Sequence, residues 1–393
     1  MTVLLEPLDG RYSAPCPALS KAWLESAIQD VLKSVDAMLP RFTTTFPAAN
    51  STAGVYPAVD KVDWTEGFWT GMLWLAWETT GDDKYRVAAE GLLDSFEARL
   101  DKKIKVDTHD LGFLYLLSCV NAWRLTGNER ARELALRAAD LLYQRFNATA
   151  GVIQAWGDLH DPARQGRMII DCNLNVPLLF WAASETGKRE YKEAATQHLS
   201  QAAKYLVRED ASTFHTFYMD VKTGEPLRGD THQGFSDSSC WARGQAWGMY
   251  GFALGYKYTG DRSMPELSRK LTHYFLNRLP EDAVCYWDLI FTDRDNAFRD
   301  TSAAAISVCA IDELLKQLPL SEPLRTAYEN SIATIMRNLH QRYFAHHEDG
   351  ILLEGVYNYG RNMGINVPNL WGDYFYFEAL IRLSRTWTPY WSF

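Results

Sequence analysis

The chain has 393 residues, of which 47% are hydrophobic and 23% are charged. A chain of this length and composition can bury a large core, so it needs neither disulfides nor a structural metal to fold. Its net charge of -9 argues against a nucleic-acid-binding surface or a surface for anionic membranes, because both require clustered cations. An acidic ligand would have to be held by a few locally placed cations.

The cysteines and the first residues of the chain bear on its location. The six cysteines lie far apart without a C-x-x-C pair, and four of them fall in apolar or helical stretches, which favours buried thiols. Residues 1–20 lack a cationic leader, and the longest apolar run, at 69–77, is far shorter than a membrane helix. We therefore predict a cytoplasmic protein that contacts neither membrane nor nucleic acid.

A helical repeat runs along the chain. An apolar helical pattern, a Thr-Gly pair and a charged segment follow one another at 74–85, 121–131, 180–191 and 252–263. The glycine predicts a left-handed helix end, and the charged segment predicts the start of the next helix, so the unit is an antiparallel helix hairpin. At about 33 residues per helix with its connection, the chain would form about six hairpins. Six hairpins that close on themselves make a double ring of helices.

Long polar stretches separate these hairpins, at 55–68, 104–112, 150–176, 208–240 and 280–302. Loops of this length are usually functional, and we expect them at one end of the ring. Strand signals at 151–156 and 212–220 predict short β-hairpins inside them. Because no Pro-rich or Gly/Ser-rich linker interrupts the chain, we predict a single domain over residues 1–393.

The aromatic residues are numerous, with 14 Trp, 20 Tyr and 18 Phe, and many lie in the polar stretches. Flat rings beside hydrogen-bonding side chains suit sugars, whose C–H faces stack on rings. Trp64, Trp156 and Trp247 lie near polar loop residues and are interpreted as part of a sugar site. Four others lie inside predicted helices and are interpreted as core residues: Trp74, Trp77, Trp123 and Trp181.

Two aspartates are candidates for catalysis. Asp110 lies where a helix begins, so it is either a catalytic carboxylate or an N-cap. Asp171 follows an apolar run and precedes Pro177, which is typical of an early helix position. Desolvation there would raise the pKa of Asp171 and make it a general acid, whereas the alternative is an aspartate bound to local backbone groups.

Arg243 and Trp247 are four residues apart and so share one helix face. One interpretation is a cation stacked on an indole for structural reasons. The other is a cation and an aromatic platform at the mouth of a sugar site, completed by His232 and Gln233 from the preceding loop.

Several segments together resemble the unsaturated glucuronyl hydrolases, glycoside hydrolase family 88. They are 64–78, 109–113, 168–182, 228–247, 300–306 and 371–383, and they occur in order along the chain. The resemblance implies an all-α (α/α)6 barrel, which agrees with the hairpin count. It implies no metal and no organic cofactor.

The resemblance also implies roles for individual residues. Asp110 and Asp171 correspond to the two functional aspartates of the family, with Asp171 as the proton donor. The corresponding substrate-binding residues are Trp64, Trp156, His215, Gly229, Thr231, His232, Gln233, Arg243 and Trp247. Some relatives that accept sulfated fragments carry Ser-x-x-Ser-x-Lys where this chain has Asn358, Arg361 and Met363. Arg361 is itself a good sulfate ligand and joins the substrate-binding set.

The implied substrate is a lyase-generated oligosaccharide of the glycosaminoglycan type with a 4,5-unsaturated uronic acid at its non-reducing end. A proton added to C4 and water added to C5 would hydrate the enol ether, after which the ring opens and releases the next sugar. Three alternatives stay open: an unsaturated rhamnogalacturonyl hydrolase that acts on pectin fragments, a sugar epimerase, and a carbohydrate-binding protein without activity. The oligomeric state is open between a monomer and a homo-oligomer.

Overall fold

The computed structural model describes residues 2–59 and 63–393. Along these residues, helices alternate between an outer and an inner ring. The outer ring is formed by α1 (Lys21–Met38), α3 (Asp83–Gly91), α4 (Leu93–Asp101), α7 (Glu129–Tyr143), α9 (Arg189–Tyr205), α11 (Ser263–Asn277) and α13 (Arg325–Tyr343). The inner ring is formed by α2 (Glu66–Thr80), α5 (Leu111–Tyr115), a π-helical turn (Leu116–Val120), α6 (Asn121–Thr126), α8 (Pro177–Thr186), α10 (Ala242–Thr259), α12 (Thr301–Gln317) and α14 (Leu370–Ser384).

The two rings differ in how their helices are buried. In α2, every residue from Glu66 to Ala76 is buried, whereas α7 buries only the stripe that repeats at helical spacing from Ala131 to Leu142. A helix that is apolar all round belongs in a core, and an amphipathic one belongs on its surface. The ring closes because α14 packs against both α12 and α2. The architecture is an (α/α)6 barrel, as predicted.

The predicted Thr-Gly stops end four of the inner helices. Gly81, Gly127, Gly187 and Gly260 have φ angles of 70°, 70°, 72° and 70°, the left-handed conformation that glycine adopts without strain. Each of them joins an inner helix to the next outer helix through a short turn. All short turns of this kind therefore lie at the C-terminal end of the inner ring, and the long polar loops lie at its N-terminal end.

The long loops contain small antiparallel sheets. The pairs are β1 (Phe46–Pro47) with β2 (Ala58–Val59), β3 (Phe146–Asn147) with β4 (Val152–Ile153), β5 (Arg167–Ile169) with β6 (Thr216–Met219), β6 with β7 (Pro226–Asp230), and β8 (Gly355–Asn358) with β9 (Met363–Val367). Strands β4 and β6 confirm the two strand signals in the sequence. The β5–β6–β7 sheet and the β8–β9 hairpin both border the site described below.

The predicted core residues behave as expected. Trp74 and Trp181 are buried, and Trp77 and Trp123 pack against the core. The six cysteines are free, and all except Cys16 are buried. Among the described helices, none is long and apolar enough to cross a membrane.

Candidate active site

A cavity of about 560 Å³ opens at the N-terminal end of the inner ring. Its walls come from the loops that precede α2, α5, α8 and α10 and from the β8–β9 hairpin. Nine residues singled out in the sequence line it: Trp64, Asp110, Trp156, Asp171, His232, Gln233, Arg243, Trp247 and Arg361. The ring thus brings Trp64 and Arg361, which lie near opposite ends of the chain, to one site.

The two candidate aspartates meet at a buried histidine. Asp110 directly precedes α5, and Asp171 lies in a 3-10 turn, Ile170–Leu174, just before α8. His109 Nε2 lies 3.4 Å from Asp110 Oδ1 and 3.6 Å from Asp171 Oδ1. The imidazole is fully buried. The sequence offered no signal for the role of His109 beyond its place beside Asp110, so its contact with Asp171 was missed.

Asp110 occupies the N-cap position of α5, but its side chain makes no capping hydrogen bond. Instead its Oδ2 accepts a hydrogen bond of 2.6 Å from the Thr108 hydroxyl, whose oxygen in turn accepts the Asp110 N–H at 3.1 Å. Asp110 therefore has the position of an N-cap, but its carboxylate does not cap the helix. Its carboxylate is held at the cavity wall by a threonine that the sequence analysis did not single out.

Asp171 is placed where its carboxyl group is poorly hydrated. Its side chain is 15% exposed, and its Oδ1 is buried with no hydrogen-bond partner among the described residues. Burial raises the pKa of Asp171 to about 6; His109 acts to lower this pKa and Asp110 acts to raise it. The desolvation expected from the flanking apolar residues is confirmed, and a backbone hydrogen bond within Asp171 itself acts in the opposite direction, to lower the pKa of Asp171.

His109 is the positive member of this cluster. Burial alone would lower the pKa of His109, but the carboxylates of Asp110 and Asp171 raise it well above its usual value. A protonated imidazole, one ionised aspartate and one protonated aspartate together carry no net charge, which suits a buried group. Within this cluster the pKa of Asp171, about 6, lies much closer to neutral pH than the usual value of 3.8.

Glycine allows the two aspartate loops to approach each other. A Cβ atom on Gly112 would lie 2.3 Å from Asn175 Cα, so any larger residue would push the loops apart. Asn175 Oδ1 also accepts a hydrogen bond of 2.7 Å from the Phe113 N–H. The start of α5 and the turn before α8 are therefore fixed directly to one another.

Aromatic rings form two walls of the cavity. Trp64 stacks on Trp371, with ring centroids 5.0 Å apart, and donates its Nε1–H to the Tyr357 hydroxyl at 2.8 Å. Trp156 stands edge-on to His109 at 6.3 Å and carries the Arg167 guanidinium over its face at 4.6 Å. Both indoles are fixed by neighbours rather than free to rotate.

Trp247 contributes to the floor. It is 1% exposed and packs against Phe113, with centroids 5.3 Å apart. Little of its face is open to a ligand, so its contribution is mainly to support the ring of Phe113 and the cavity shape.

Arg243 is buried rather than placed at the mouth of the site. Its guanidinium forms an ion pair of 2.7 Å with Asp300 and donates to the carbonyl oxygens of Val356 and Tyr357 at 2.6 and 2.7 Å. It also donates to Gln233 Oε1 at 2.9 Å, which orients that amide in the cavity wall. Arg243 therefore joins α10 to the β8–β9 hairpin.

The stacking partners of Arg243 also differ from the expected one. The guanidinium lies 4.5 Å from the Trp241 ring and 4.9 Å from the Trp371 ring. Trp247 shares its helix face but does not stack on it. The prediction that Arg243 stacks on an indole is thus confirmed, but the stacking partners are Trp241 and Trp371 and not Trp247.

Three of the predicted binding residues lie behind the cavity wall. His215 is buried, and its Nδ1 accepts the His232 N–H at 2.8 Å. Thr231 Oγ1 accepts the Gly234 N–H at 2.7 Å. A Cβ atom on Gly229 would lie 2.6 Å from the Phe214 ring. These residues shape the loop that carries His232 and Gln233, and the described structure places none of the three in the cavity lining.

The cavity also contains cations, most of which are paired. Arg99 pairs with Glu66 at 3.3 Å, Lys105 with Asp63 at 3.3 Å, and Arg164 with Asp161 at 3.1 Å. The sequence analysis expected a few placed cations but named only Arg243 and Arg361.

Two guanidinium groups in the cavity have no carboxylate partner within the described ranges, namely Arg167 and Arg361. Both act on His232: burial, and then the charges of Arg361 and Arg167, together lower the pKa of His232 to about 4. The N-termini of the inner helices add positive potential at the same end of the barrel. The cavity can therefore hold an anionic group beside a neutral histidine.

His109, Asp110 and Asp171 also form the cluster whose donor atoms could hold a metal ion, since these atoms lie within 4.8 Å of one another. Burial opposes a charge on His109, but the two carboxylates raise the pKa of His109 well above its usual value. A proton and a metal ion would therefore compete for the same imidazole nitrogen.

The chain is similar to several known proteins. The unsaturated chondroitin disaccharide hydrolase of Streptococcus pneumoniae is 45% identical over 379 residues, which cover 95% of each chain. The crystal structure of unsaturated glucuronyl hydrolase from Streptococcus agalactiae matches with a TM-score of 0.96 and 43% identity, and the match covers 100% of this chain and 99% of that one. A mutant of the latter, complexed with dGlcA-GalNAc6S, matches with a TM-score of 0.89 and 41% identity over 100% and 99% of the two chains. The family model of Glycosyl Hydrolase Family 88 matches residues 34–381, and the chain belongs to that family.

Proposed function

We propose that this enzyme removes a 4,5-unsaturated uronic acid from the non-reducing end of glycosaminoglycan oligosaccharides left by a lyase. The observation that supports this most directly is the buried cluster in which His109 lies 3.4 Å from the Asp110 carboxylate and 3.6 Å from that of Asp171. Burial there raises the pKa of Asp171 to about 6. One relative is named an unsaturated chondroitin disaccharide hydrolase, and a mutant of another, an unsaturated glucuronyl hydrolase, was crystallised with dGlcA-GalNAc6S.

The chemistry begins at the C4=C5 double bond, which is an enol ether. Asp171 gives its proton to C4, and positive charge develops at C5 and on the ring oxygen. The Asp110 carboxylate, held by Thr108, stabilises that charge. A pre-placed negative group costs no reorganisation when the charge appears, which is why its fixed position matters.

Water then adds to C5 while Asp171 takes back one of its protons, so the acid is regenerated. The product is a hemiketal at C5. Its bond from C5 to the ring oxygen breaks to give a C5 ketone, and C1 becomes a hemiacetal that still carries the next sugar. The bond from C1 to that sugar then breaks, and the sugar leaves as an alcohol. The rule that relates carboxylate separation to inversion or retention at C1 does not apply to this route.

The acid role of Asp171 is tested by Asp171→Asn. The amide keeps the shape of the side chain but has no proton to give, so kcat should fall by at least ~100-fold. The measurement is loss of the ultraviolet absorbance of the conjugated double bond, which hydration destroys. Asp261→Asn, at the opposite end of the barrel, is the matched control and should retain full activity. More than about a tenth of wild-type kcat in Asp171→Asn, with a normal melting curve, would remove Asp171 from this role.

We also propose that Arg361 binds sulfate on the second sugar. Its guanidinium lines the cavity and has no carboxylate partner among the described residues, and it can offer paired donors to a sulfate. A charge-assisted contact of this kind is worth about 1.5 to 3 kcal/mol, or roughly 10-fold or more in affinity. Arg361→Ala should therefore lower kcat/KM for 6-sulfated chondroitin disaccharide more than for its unsulfated counterpart. An unchanged ratio between the two substrates would exclude Arg361 from sulfate binding.

A further inference from the structure

Aromatic side chains cluster on the rim of the cavity, outside its lining. Phe235 is 55% exposed, Tyr359 is 44% exposed and Phe298 is 40% exposed, whereas Trp287 lies buried beneath them. Large exposed apolar groups that lie together usually mark a binding surface. We refer to Phe235, Trp287, Phe291, Phe298 and Tyr359 as the rim platform.

The rings of the rim platform support one another. Tyr359 lies nearly parallel to Trp287, with centroids 4.7 Å apart and an angle of 19° between the rings. Phe298 lies 6.3 Å from Tyr359, and Phe235 lies 5.1 Å from Phe291. One face of Tyr359 is thus covered by Trp287 and the other is open to solvent.

A buried carboxylate holds the platform in place. Asp288 is fully buried and accepts hydrogen bonds from the Phe235 N–H at 2.8 Å, the Ser239 hydroxyl at 2.7 Å and the Ile290 N–H at 3.1 Å. These donors come from two different loops, so Asp288 joins them. The platform is therefore preorganised, which reduces the entropy lost when a ligand binds.

The platform is continuous with the cavity at two points. Phe235 follows Gln233 by two residues, and Tyr359 lies between Asn358 and Arg361; these three flanking residues all line the cavity. A cavity of about 560 Å³ has the size of a small-molecule site and accommodates the terminal sugars of a chain. Further sugars of the same chain must leave the cavity across its rim.

We propose that the rim platform is a subsite for sugars beyond the first two of an unsaturated oligosaccharide. The C–H face of a pyranose ring stacks on the open face of Tyr359, and Phe235 and Phe298 extend the contact on either side. This inference rests on the proposed function for the identity of the ligand. It adds a preference for chain length, which the chemistry at the double bond does not require.

The test compares an unsaturated chondroitin disaccharide with the corresponding tetrasaccharide. In the wild type, kcat/KM should be roughly 5-fold or more higher for the tetrasaccharide, the gain expected of one good stacking contact. In the double variant Phe235→Ala/Tyr359→Ala this ratio should fall to about 1, while kcat/KM for the disaccharide stays unchanged. Tyr359→Phe keeps the ring and should retain most of the gain. Leu320→Ala, which removes an exposed side chain at the opposite end of the barrel, should retain all of it.

A binding measurement keeps this test separate from the test of the proposed function. Titration calorimetry of both saccharides against Asp171→Asn, with and without the platform substitutions, measures the same preference without turnover. The subsite is contradicted if the protein with the intact platform binds tetrasaccharide and disaccharide with about equal affinity. It is also contradicted if the double variant keeps the full preference for the tetrasaccharide. Sedimentation experiments give a further check. If the wild type is a dimer and the double variant is a monomer, the platform is a contact between copies of the protein, and the proposal is overturned. Failure of the wild type to hydrolyse the disaccharide contradicts the proposed function alone.

Discussion

At the scale of single residues, His109 explains how two carboxylates share one small site. Asp110 and Asp171 would repel each other strongly in a poorly hydrated pocket if both were ionised. The imidazolium between them, 3.4 and 3.6 Å from the nearest oxygens, compensates one negative charge. The pKa of Asp171 is raised to about 6, so Asp171 is the carboxyl group that we assign as the acid.

The rate should therefore depend on pH with a definite sign. The reactive form of Asp171 is the protonated one, and its pKa is raised from 3.8 to about 6. Hence kcat should be highest below pH 6 and should fall as the pH rises through about 6, instead of falling near pH 4. A pH–rate profile with the unsaturated disaccharide measures this limb. A kcat that rises across the same range would mean that Asp171 acts as a base in the slow step.

Replacement of His109 should move this limb. His109→Gln removes the positive charge that lowers the pKa of Asp171, so the decline of kcat should shift to higher pH by about one unit or more, while the maximum rate decreases. Damage that is only structural would lower kcat equally at every pH. His198→Gln, at a buried histidine outside the cavity lining, should leave the limb in place. A limb that His109→Gln does not move would show that His109 carries no charge.

Asp110→Asn should separate catalysis from stability. The side chain makes no capping bond to α5, so the substitution should leave the melting temperature within about 2 °C of the wild type. It removes the negative charge proposed to stabilise C5, so kcat should fall by ~100-fold or more. Binding of the disaccharide, measured by calorimetry, should persist. A variant that melts far below the wild type but retains normal activity per folded molecule would show that Asp110 stabilises α5 and takes no part in the reaction.

At the scale of elements, the site depends on how closely the starts of the inner helices approach one another. Gly112 at the start of α5 lies against the backbone of Asn175, just before α8. That approach brings Asp110, Asp171 and His109 within reach of each other. Arg243 likewise holds α10 close to the β8–β9 hairpin, because it pairs with Asp300 and donates hydrogen bonds to two carbonyl oxygens of the hairpin.

Two glycine substitutions should distinguish the two ends of the barrel. In Gly112→Ala the added methyl group meets backbone atoms at 2.3 to 2.7 Å, so the loops must separate and kcat should fall by at least 10-fold. In Gly127→Ala nothing lies within 4 Å, but the φ of 70° strains alanine, so about 1 kcal/mol of stability is lost and activity is kept. Activity assays and chemical denaturation of both variants give the comparison. Full activity in Gly112→Ala would show that the aspartate loops tolerate separation.

How far the sequence predicts the structure also differs between elements. The Thr-Gly stops and the apolar inner helices are local patterns, so the helix hairpins and the barrel could be predicted from them. The approach of His109 to Asp171 could not, because it depends on the fit of Gly112 against Asn175. Two of the partners of Arg243, the carbonyl oxygens of Val356 and Tyr357, come from the β8–β9 hairpin more than 100 positions away, and no local pattern indicates them. The single domain and the oligomeric state stay predictions.

At the scale of the whole molecule, charge is buried at the end of the barrel away from the cavity. Arg382 is bound to Glu378 at 2.8 Å, Asp312 at 3.0 Å and Glu313 at 3.1 Å, and its side chain is fully buried. These residues lie in the C-terminal halves of α12 and α14. The Trp391 Nε1–H adds a hydrogen bond of 2.8 Å to Glu378. Stability at this end is thus physically separate from chemistry at the other.

Arg382→Met should reveal this separation. It leaves several carboxylates buried without their shared cation, which should cost about 3 to 5 kcal/mol of unfolding free energy. The cavity lies at the other end of the inner helices, so kcat/KM of the folded fraction should remain within about 2-fold of the wild type. Denaturant titration and disaccharide assays measure the two effects. A loss of activity in fully folded Arg382→Met would show that the two ends are coupled through the inner ring.

The short glycine turns lie at the end of the inner ring opposite the cavity, and this gives the molecule a natural point of attachment. Lys188, next to Gly187, is exposed, so a cysteine in its place would react with a thiol-directed support. Five of the six native thiols are buried and would compete little for that reagent. Every immobilised molecule would then be oriented the same way, with its cavity towards the solution, and a packed column of the enzyme could process oligosaccharides in flow.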